Sequence, residues 1–331
     1  MFTDMLEGSV QPEADAEGNK LVSILIPTFN RERFLEIALT SAAAQTYPNT
    51  EIIVVDNCST DGSWEVITDF ASRFSNIRAY RQDRNYGVHA NFKASFELAR
   101  GYYHKWLMSD DVLGVDCTSL LVQMLEAQPS ATIASSPRLP IDEHSQILPN
   151  ISATIPLVGE TGYFKGGSVI EHVLVEGINR IGEPSTVLYR AQDINASKYF
   201  LDENRTRWIY DVDLWIDLLK RGDLAYVNTP LSFFRIHEGQ DQMSVSVQEV
   251  LREWLLLIQE CWLEGVIPWE RAASAVASQM SWLSNYLRNC DGAGKRELLP
   301  QTIFVLEVYE AICMDRNLEA PLCFQGRVQS D

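Results

Sequence analysis

An α/β fold with a mixed, mainly parallel sheet flanked by helices and a C-terminal helical extension is what this sequence predicts. Three observations carry that expectation. Short apolar runs ending at proline or aspartate recur from residue 21 onward, stretches of helical period separate them, and after Ser244 only the helical period remains. Strands alternating with helices of roughly 10–15 residues imply right-handed βαβ units and hence parallel pairing.

The elements follow in order. Leu21-Val-Ser-Ile-Leu-Ile-Pro27 is an apolar run closed by proline, hence a buried strand. Residues 32–45 carry Phe34, Ile37, Ala38 and Ser41 at helical spacing. A second buried strand at 51–56, a helix at 64–74, a strand at 77–81 and a helix at 87–100 come next, and a strand at 102–107 runs into Ser109-Asp110-Asp111. From 112 to 240 the alternation loosens: a helix at 119–127, a strand at 132–136 and a loop-rich stretch. A strand at 186–190, a helix at 211–220 stopped by Gly222 and a strand at 224–228 complete it. Beyond Ser244, Val250, Trp254, Leu257, Ile258 and Cys261 form an apolar stripe, and further helices are expected at 269–287 and 298–314. Residues 1–19, with five acids and no base, read as a mobile leader.

Charge and composition exclude several functions. In 331 residues, Lys plus Arg is 27 and Asp plus Glu is 45, a net charge of −18, so the basic footprint of a nucleic-acid binder is missing. The same balance disfavours electrostatic docking of the whole protein on an anionic membrane. The longest apolar run, Trp254–Ile258, falls far short of the roughly 20 residues needed to span a bilayer. No signal peptide is visible. The six cysteines (58, 117, 261, 290, 313 and 323) show no paired spacing and read as reduced thiols, so a soluble, cytoplasmic protein is expected. Walker, G-x-G-x-x-G, H-E-x-x-H and G-x-S-x-G motifs are missing, against P-loop, NAD, zinc-protease and serine-hydrolase chemistry.

Polar residues stand just after three of the strands: Thr28 and Asn30, Asp56 and Asn57, Asp110 and Asp111. In a parallel sheet such ends converge on one edge, where ligands bind. Adjacent carboxylates at Asp110-Asp111 repel unless a cation or donor satisfies them, and they could hold Mg²⁺ or Mn²⁺. Taken alone, the dipeptide fits a solvated turn better. Asp56 or Asn57 could accept a nucleobase N–H, or form an Asx turn with Asp61 or Ser63 capping the next helix. Thr28 and Asn30 have the similar alternative of capping the first helix. Asp211 and Asp213 open a helix, where acids are favoured by the dipole; one of them could equally be a general base. Arg235-Ile-His237, followed by Gln240, Gln242 and Ser244, could neutralise a leaving diphosphate, though a lone histidine is more often a surface residue.

Together these pieces form a pattern. Val22-Ser-Ile-Leu-Ile-Pro-Thr-Phe-Asn-Arg31, Ala44-Gln-Thr-Tyr-Pro48 and Glu51-Ile-Ile-Val-Val-Asp-Asn-Cys-Ser-Thr-Asp-Gly62 resemble family 2 glycosyltransferases. Asn85-Tyr-Gly87, Asn91, Ala99-Arg-Gly101, Ser109-Asp-Asp-Val-Leu113, Gly182-Glu-Pro-Ser185, Asp211-Val-Asp-Leu-Trp215 and Arg235-Ile-His237 continue the resemblance in order, over residues 21–244. The resemblance implies a GT-A fold, a nucleotide-sugar donor, Mn²⁺ or Mg²⁺, and inversion at the anomeric carbon. By position, Pro27, Thr28, Asn30, Asp56, Asn57, Asn85 and Asp110 resemble the nucleotide-binding set. Asp110, Asp111 and His237 resemble the metal set, Arg235 and His237 the diphosphate loop, and Asp211 the general base. The implied plan is a leader at 1–19, a transferase domain at 20–244 (20–111 for the nucleotide, 112–244 for the acceptor) and a helical extension at 245–331.

The chain departs from the pattern at Asn57, Met108 and Tyr210, where many relatives carry an acid. Two rivals share some of its features. A nucleotidyltransferase would want a Gly-rich basic loop near the first strand, and Pro27-Thr-Phe-Asn30 is not one; a degenerate scaffold subunit would not be expected to keep Asp110, Asp111 and Asp211. UDP-sugar is the favoured donor with dTDP-sugar as alternative, and the acceptor is a saccharide or glycolipid. The extension's stripe is expected to pack on the catalytic domain and to offer a homodimer interface. Peripheral contact with the inner face of the membrane is the alternative, although Gln248, Glu249, Glu253, Glu260 and Glu264 give its polar face no basic character.

Overall fold

A computed structural model describes residues 14–194, 208–239 and 247–289. The first half alternates as the sequence predicts: β1 (Val22–Thr28), α1 (Glu32–Ala43), β2 (Thr50–Asp56), α2 (Ser63–Arg73), β3 (Ile77–Arg81), α3 (Val88–Leu98) and β4 (Tyr103–Trp106). Next come β5 (Val112–Leu113), α4 (Cys117–Ala127), β6 (Ala131–Ser135), β7 (Arg138–Ile141), β8 (Gly162–Phe164) and α5 (Gly166–Glu176). β9 (Leu188–Arg190), α6 (Tyr210–Leu219), β10 (Asp223–Tyr226), β11 (Ser232–Arg235), α7 (Val247–Leu263) and α8 (Trp269–Asn289) complete the described elements.

Eight strands form one sheet in the order β3-β2-β1-β4-β9-β6-β10-β8, and β5-β11-β7 form a second, three-stranded sheet. β1 pairs in parallel with both β2 and β4, and β2 with β3, whereas β9 runs antiparallel to β4 and β6. β1 is buried along its whole length, which explains its run of branched residues without alternation. Because β2 and β4 lie on opposite sides of β1, the winding reverses there, and the carboxyl ends of β1 and β4 border the crevice that such a reversal opens. Gly101 makes the β1–β4 approach possible: a Cβ there would stand 2.5 Å from the Ser23 amide nitrogen.

The loop-rich reading of residues 137–182 needs correction, since β7, β8 and α5 lie within it. The strands have only three or four residues, and Gly166-Gly167 opens α5 with poor helix formers, so neither period was visible. The chain divides into two compact units, and the division is not a single cut. Ile170–Gly177 of α5 belongs with α7 and α8, while the other described elements form the larger unit. In the smaller unit Leu251, Trp254, Leu255, Leu257, Ile258 and Cys261 of α7 are buried. Arg271 Nε lies 2.5 Å from Glu171 Oε1, tying α8 to α5. No described helix is long and apolar enough to cross a membrane.

At the start, residues 14–19 form a turn in which Asp15 Oδ1 accepts from the Glu17 and Asn19 amides at 3.0 and 2.8 Å. Residues 1–13, Gln240, Gln242, Ser244 and the helix expected at 298–314 lie outside the described residues.

Candidate active site

The loops after β1 and β2 lock together. Asn30, with a left-handed φ of 50°, accepts the Thr60 amide on its Oδ1 at 2.8 Å, and its own N–H donates to Ser59 Oγ at 2.9 Å. Asp61 accepts from the amides of Glu32 and Ser63, so one carboxylate serves the amino ends of α1 and α2. The first helix is therefore capped from the neighbouring loop and not by Thr28 or Asn30. Thr28 is buried, and its carbonyl accepts the Asn57 amide at 2.8 Å and Asn91 Nδ2 at 3.2 Å. Pro27 lies beside Val55 in the β1–β2 ladder.

Asp56 is fully buried. Its Oδ1 accepts the Ser59 amide at 3.0 Å, and Oδ2 lies 3.1 Å from Arg81 Nε. The side chain of Asn57 is committed to the next loop: Oδ1 accepts the Tyr86 amide, and Nδ2 donates to Asn85 Oδ1 at 2.9 Å and to the Gly87 carbonyl at 3.1 Å. Asn57 thus spends its whole side-chain amide on Asn85 and Tyr86-Gly87, and Asn85 Oδ1 accepts from Asn57 and from the Gly87 amide. They shape the loop wall, whereas the sequence reading had both touching the nucleotide directly.

Asp110 and Asp111 follow β4 in a turn closed by the Asp111 amide on the Met108 carbonyl at 3.0 Å, and their side chains diverge. Asp110 Oδ2 lies 3.1 Å from His237 Nε2 and 3.4 Å from Arg31 Nε. Burial alone would raise its proton affinity, but the His237 hydrogen bond and the Arg31 charge outweigh that and hold it below the usual carboxylate range. Asp111 turns the other way, accepting from Ser185 Oγ at 2.6 Å and from the Arg235 amide at 3.0 Å. Burial and then repulsion from Asp110 push its carboxyl well above the usual range.

Arg235 needs correction. Expected at a diphosphate, its side chain is fully buried under this turn, with Nε donating to the Asp110 carbonyl at 2.7 Å. One terminal nitrogen donates to the Asp142 carbonyl at 2.8 Å and to Ser145 Oγ at 3.0 Å, and the guanidinium stacks on Phe34. A buried guanidinium whose Nε and one terminal nitrogen are held inside the protein fixes the turn in place; it does not reach into solvent for phosphate. Arg31, which the sequence reading passed over, is the arginine beside Asp110. A cleft of about 390 Å³ opens there, lined in part by Asn30, Arg31, Phe34, Asp61 and His237.

Among the described residues no group of three His, Cys, Asp or Glu side chains converges as a metal site. Asp110 and His237 fit as two donors on one face, but Asp111 does not join them because both its oxygens are engaged elsewhere. His237 Nδ1 accepts the Gly239 amide at 3.1 Å, so Nε2 carries the proton toward Asp110. A cation taken between them would have to move that proton to Nδ1 and release Gly239.

Asp211 opens α6 in different surroundings. It lines a small, enclosed, largely apolar pocket with His89, Phe92, Trp106, Tyr210 and Trp215. Its Oδ1 accepts the Val212 amide and its Oδ2 accepts Asn179 Nδ2, each at 2.8 Å. Burial pushes its carboxyl up to about 7, with the Glu183 charge adding and the Val212 N–H and Arg138 opposing. Asp213 is turned into the protein and buried.

The strand ends, the Asp110 face and the Asp211 pocket gather polar and acidic side chains of the larger unit around two openings. Residues 23–172 match the family described as Glycosyl transferase family 2. The EpsE protein of Bacillus subtilis is 25% identical over 221 residues, which is 66% of this chain and 74% of that protein. The UDP-Glc:alpha-D-GlcNAc-diphosphoundecaprenol beta-1,3-glucosyltransferase WfaP of Escherichia coli is 26% identical over 222 residues, 66% of this chain and 79% of that protein. Among solved structures, residues 1–349 of S. aureus TarS superpose with a TM-score of 0.65 at 17% identity, over 88% of this chain and 81% of that one. Over residues 23–172 the chain matches the family 2 glycosyltransferases, and it has the GT-A fold.

Proposed function

We propose that this chain is an inverting glycosyltransferase, assisted by Mn²⁺ or Mg²⁺, that moves a sugar from a UDP-sugar to a saccharide carried on a lipid, with Asp211 as general base. One observation carries the reading: two aspartates of one domain are held in opposite protonation tendencies, an anion at Asp110 and a proton acceptor near neutrality at Asp211. The resemblance to WfaP, whose name gives UDP-Glc as donor and a diphosphoundecaprenol-linked sugar as acceptor, supports the donor and acceptor classes.

The chain's own residues would divide the work as follows. The Asn30–Ser59–Thr60 interlock and the Asn57–Asn85 pair shape the walls that receive the nucleoside, with Asp56 at their base. Asp110 and His237 would hold the divalent cation, which supplies positive charge against the departing diphosphate. Arg31 stands beside them and adds a fixed cation to that face. Asp211 would take the proton from the acceptor hydroxyl as its oxygen attacks the anomeric carbon from the side opposite the leaving group. The Met108 backbone amide donates to Ser185 Oγ at 2.9 Å. A lipid-linked acceptor would bring the protein to the cytoplasmic face of a membrane without a spanning helix. Exposed Trp269 and Trp282 on α8 are the apolar side chains available for a second copy or for that surface.

A panel of UDP-, dTDP- and GDP-sugars, assayed for nucleotide release with Mn²⁺ and with EDTA, tests the proposal. Mn²⁺-dependent release of UDP is expected; an inert panel would overturn the enzyme reading, and release unchanged in EDTA would overturn the metal.

A further inference from the structure

We propose that Asn179 is the positioning residue for the base: its amide, oriented by Gly182, fixes the Asp211 carboxylate and favours its anion. The proposal rests on the assignment of Asp211 made above. Asn179 Oδ1 accepts the Gly182 amide at 3.0 Å. That bond decides which way the side-chain amide faces, because only an oxygen can accept an N–H. The Nδ2 group is thereby turned outward, where it donates to Asp211 Oδ2 at 2.8 Å and to the Gly182 carbonyl at 3.1 Å. An amide that can only donate to a carboxylate stabilises the charged form and cannot take up its proton.

The segment that presents this amide is itself clamped. Arg138, buried in β7, donates to the Asn179 carbonyl at 2.9 Å and to Glu183 Oε1 at 2.7 Å. Trp215 Nε1 donates to the Gly182 carbonyl at 2.9 Å, joining the same turn to α6. Gly182 has a φ of 125°, and a Cβ there would overlap Thr186 Oγ1, so the tight turn from 179 to 182 depends on glycine. With Oδ2 held by Asn179 and Oδ1 by the Val212 amide, the carboxylate plane is set, and each oxygen keeps a lone pair for substrate.

Among the described residues, the charged and titratable groups around Asp211 are few. Glu183 and Arg138 come from the clamped segment and β7, His89 from α3, and Tyr210 and Asp213 from its own helix. Arg138 is already paired with Glu183, its Nη2 donating to Oε1 at 2.7 Å and its Nε lying 2.5 Å from Oε2, so their opposite charges largely offset each other at Asp211. Asn179 is therefore the neutral donor on which the orientation of the base depends.

Asn179→Asp is nearly isosteric and keeps an oxygen to accept the Gly182 amide, but replaces the donor facing Asp211 with a second carboxylate. In the full chain, the Asp211 carboxyl carbon is followed by ¹³C NMR against pH and assigned by its loss in Asp211→Asn. The midpoint is expected to rise by about one unit or more in Asn179→Asp, as for two carboxylates sharing a proton. In Asn179→Ser, whose hydroxyl is too short to reach Asp211, a smaller rise is expected, and this variant decides the matter if the first does not fold. The acid limb of UDP release from UDP-glucose should move with the midpoint. An unmoved midpoint in the folded variants overturns the proposal. Wild-type UDP release by Asp211→Asn would instead remove the assignment of the base, which the titration does not touch.

Discussion

Asp110, in the turn after β4, and Asp211, in the first turn of α6, belong to one α/β unit, and their surroundings drive them apart. Asp110 faces Arg31 and His237, which overcome the effect of burial and keep it charged. Asp211 faces aromatic rings, the Asn179 side-chain amide and the Val212 N–H, and burial prevails, lifting its carboxyl to about 7. The same side chain thus becomes a fixed anion in one place and a proton acceptor in the other. What distinguishes them is the set of donors within reach, an arginine and an imidazole N–H at Asp110 against backbone and side-chain amides at Asp211, not depth in the protein.

The sharpest way to break this contrast is Asp211→Asn. A base that acts only in the transition state should leave donor binding intact while kcat and kcat/KM fall together, by on the order of 10²-fold or more. Steady-state rates with calorimetry of donor binding check it, and activity near wild type would end the assignment. The wild-type rate should rise with pH through about 7 as Asp211 loses its proton. Stability should run the opposite way. The folded protein holds that proton more tightly than the unfolded chain, so this carboxyl costs stability as pH climbs from the ordinary carboxylate range through about 7. Asp211→Asn should therefore melt higher than wild type at alkaline pH.

Next in size is Arg235→Ala. Removing a buried guanidinium that holds the Asp110 and Asp142 carbonyls, with its backbone amide on Asp111, should cost roughly 3 kcal/mol of stability. Urea melts measure this, and a loss confined to donor affinity with unchanged stability would restore the diphosphate role. Asp110→Asn should weaken Mn²⁺-dependent UDP affinity by roughly tenfold with little change in melting, while Asp111→Asn should chiefly lower the melting temperature. Calorimetry and thermal melts of the two variants side by side separate a face open to ligand from one closed by Ser185. The smallest effect is expected at Asp213→Asn, which should keep kcat within about threefold, since its buried side chain does not line the pocket. A dead Asp213→Asn beside an active Asp211→Asn would exchange their roles.

Much of this was legible in the residues. The run from Leu21 to Pro27 and the run from Glu51 to Asp56 could only be strands buried on both faces, and the helices between them showed their period. The residues Thr28, Asp56 and Asp110 could therefore be placed at one edge of the sheet. Arg31 stood inside the quoted Asn30-Arg31 motif, but nothing in its spacing pointed to Asp110, which is 79 positions away in the chain. Asn179 lay in a stretch without periodicity, and Arg138 had no signal of its own.

By itself, then, the sequence determined the alternation of elements, the parallel half-sheet and the set of polar residues delivered to its edge, because apolar period and turn chemistry are local properties of the chain. Only the tertiary structure decided how those residues are oriented. It turned Asp111 and Arg235 inward, paired Asn57 with Asn85, brought Arg31 and His237 to Asp110, and set Asp211 against Asn179. It also placed the Ile170–Gly177 part of α5 with the C-terminal helices. Orientation and proton affinity arise from partners far apart along the chain, and a hydrogen bond can be assigned only once both of its ends have been brought together.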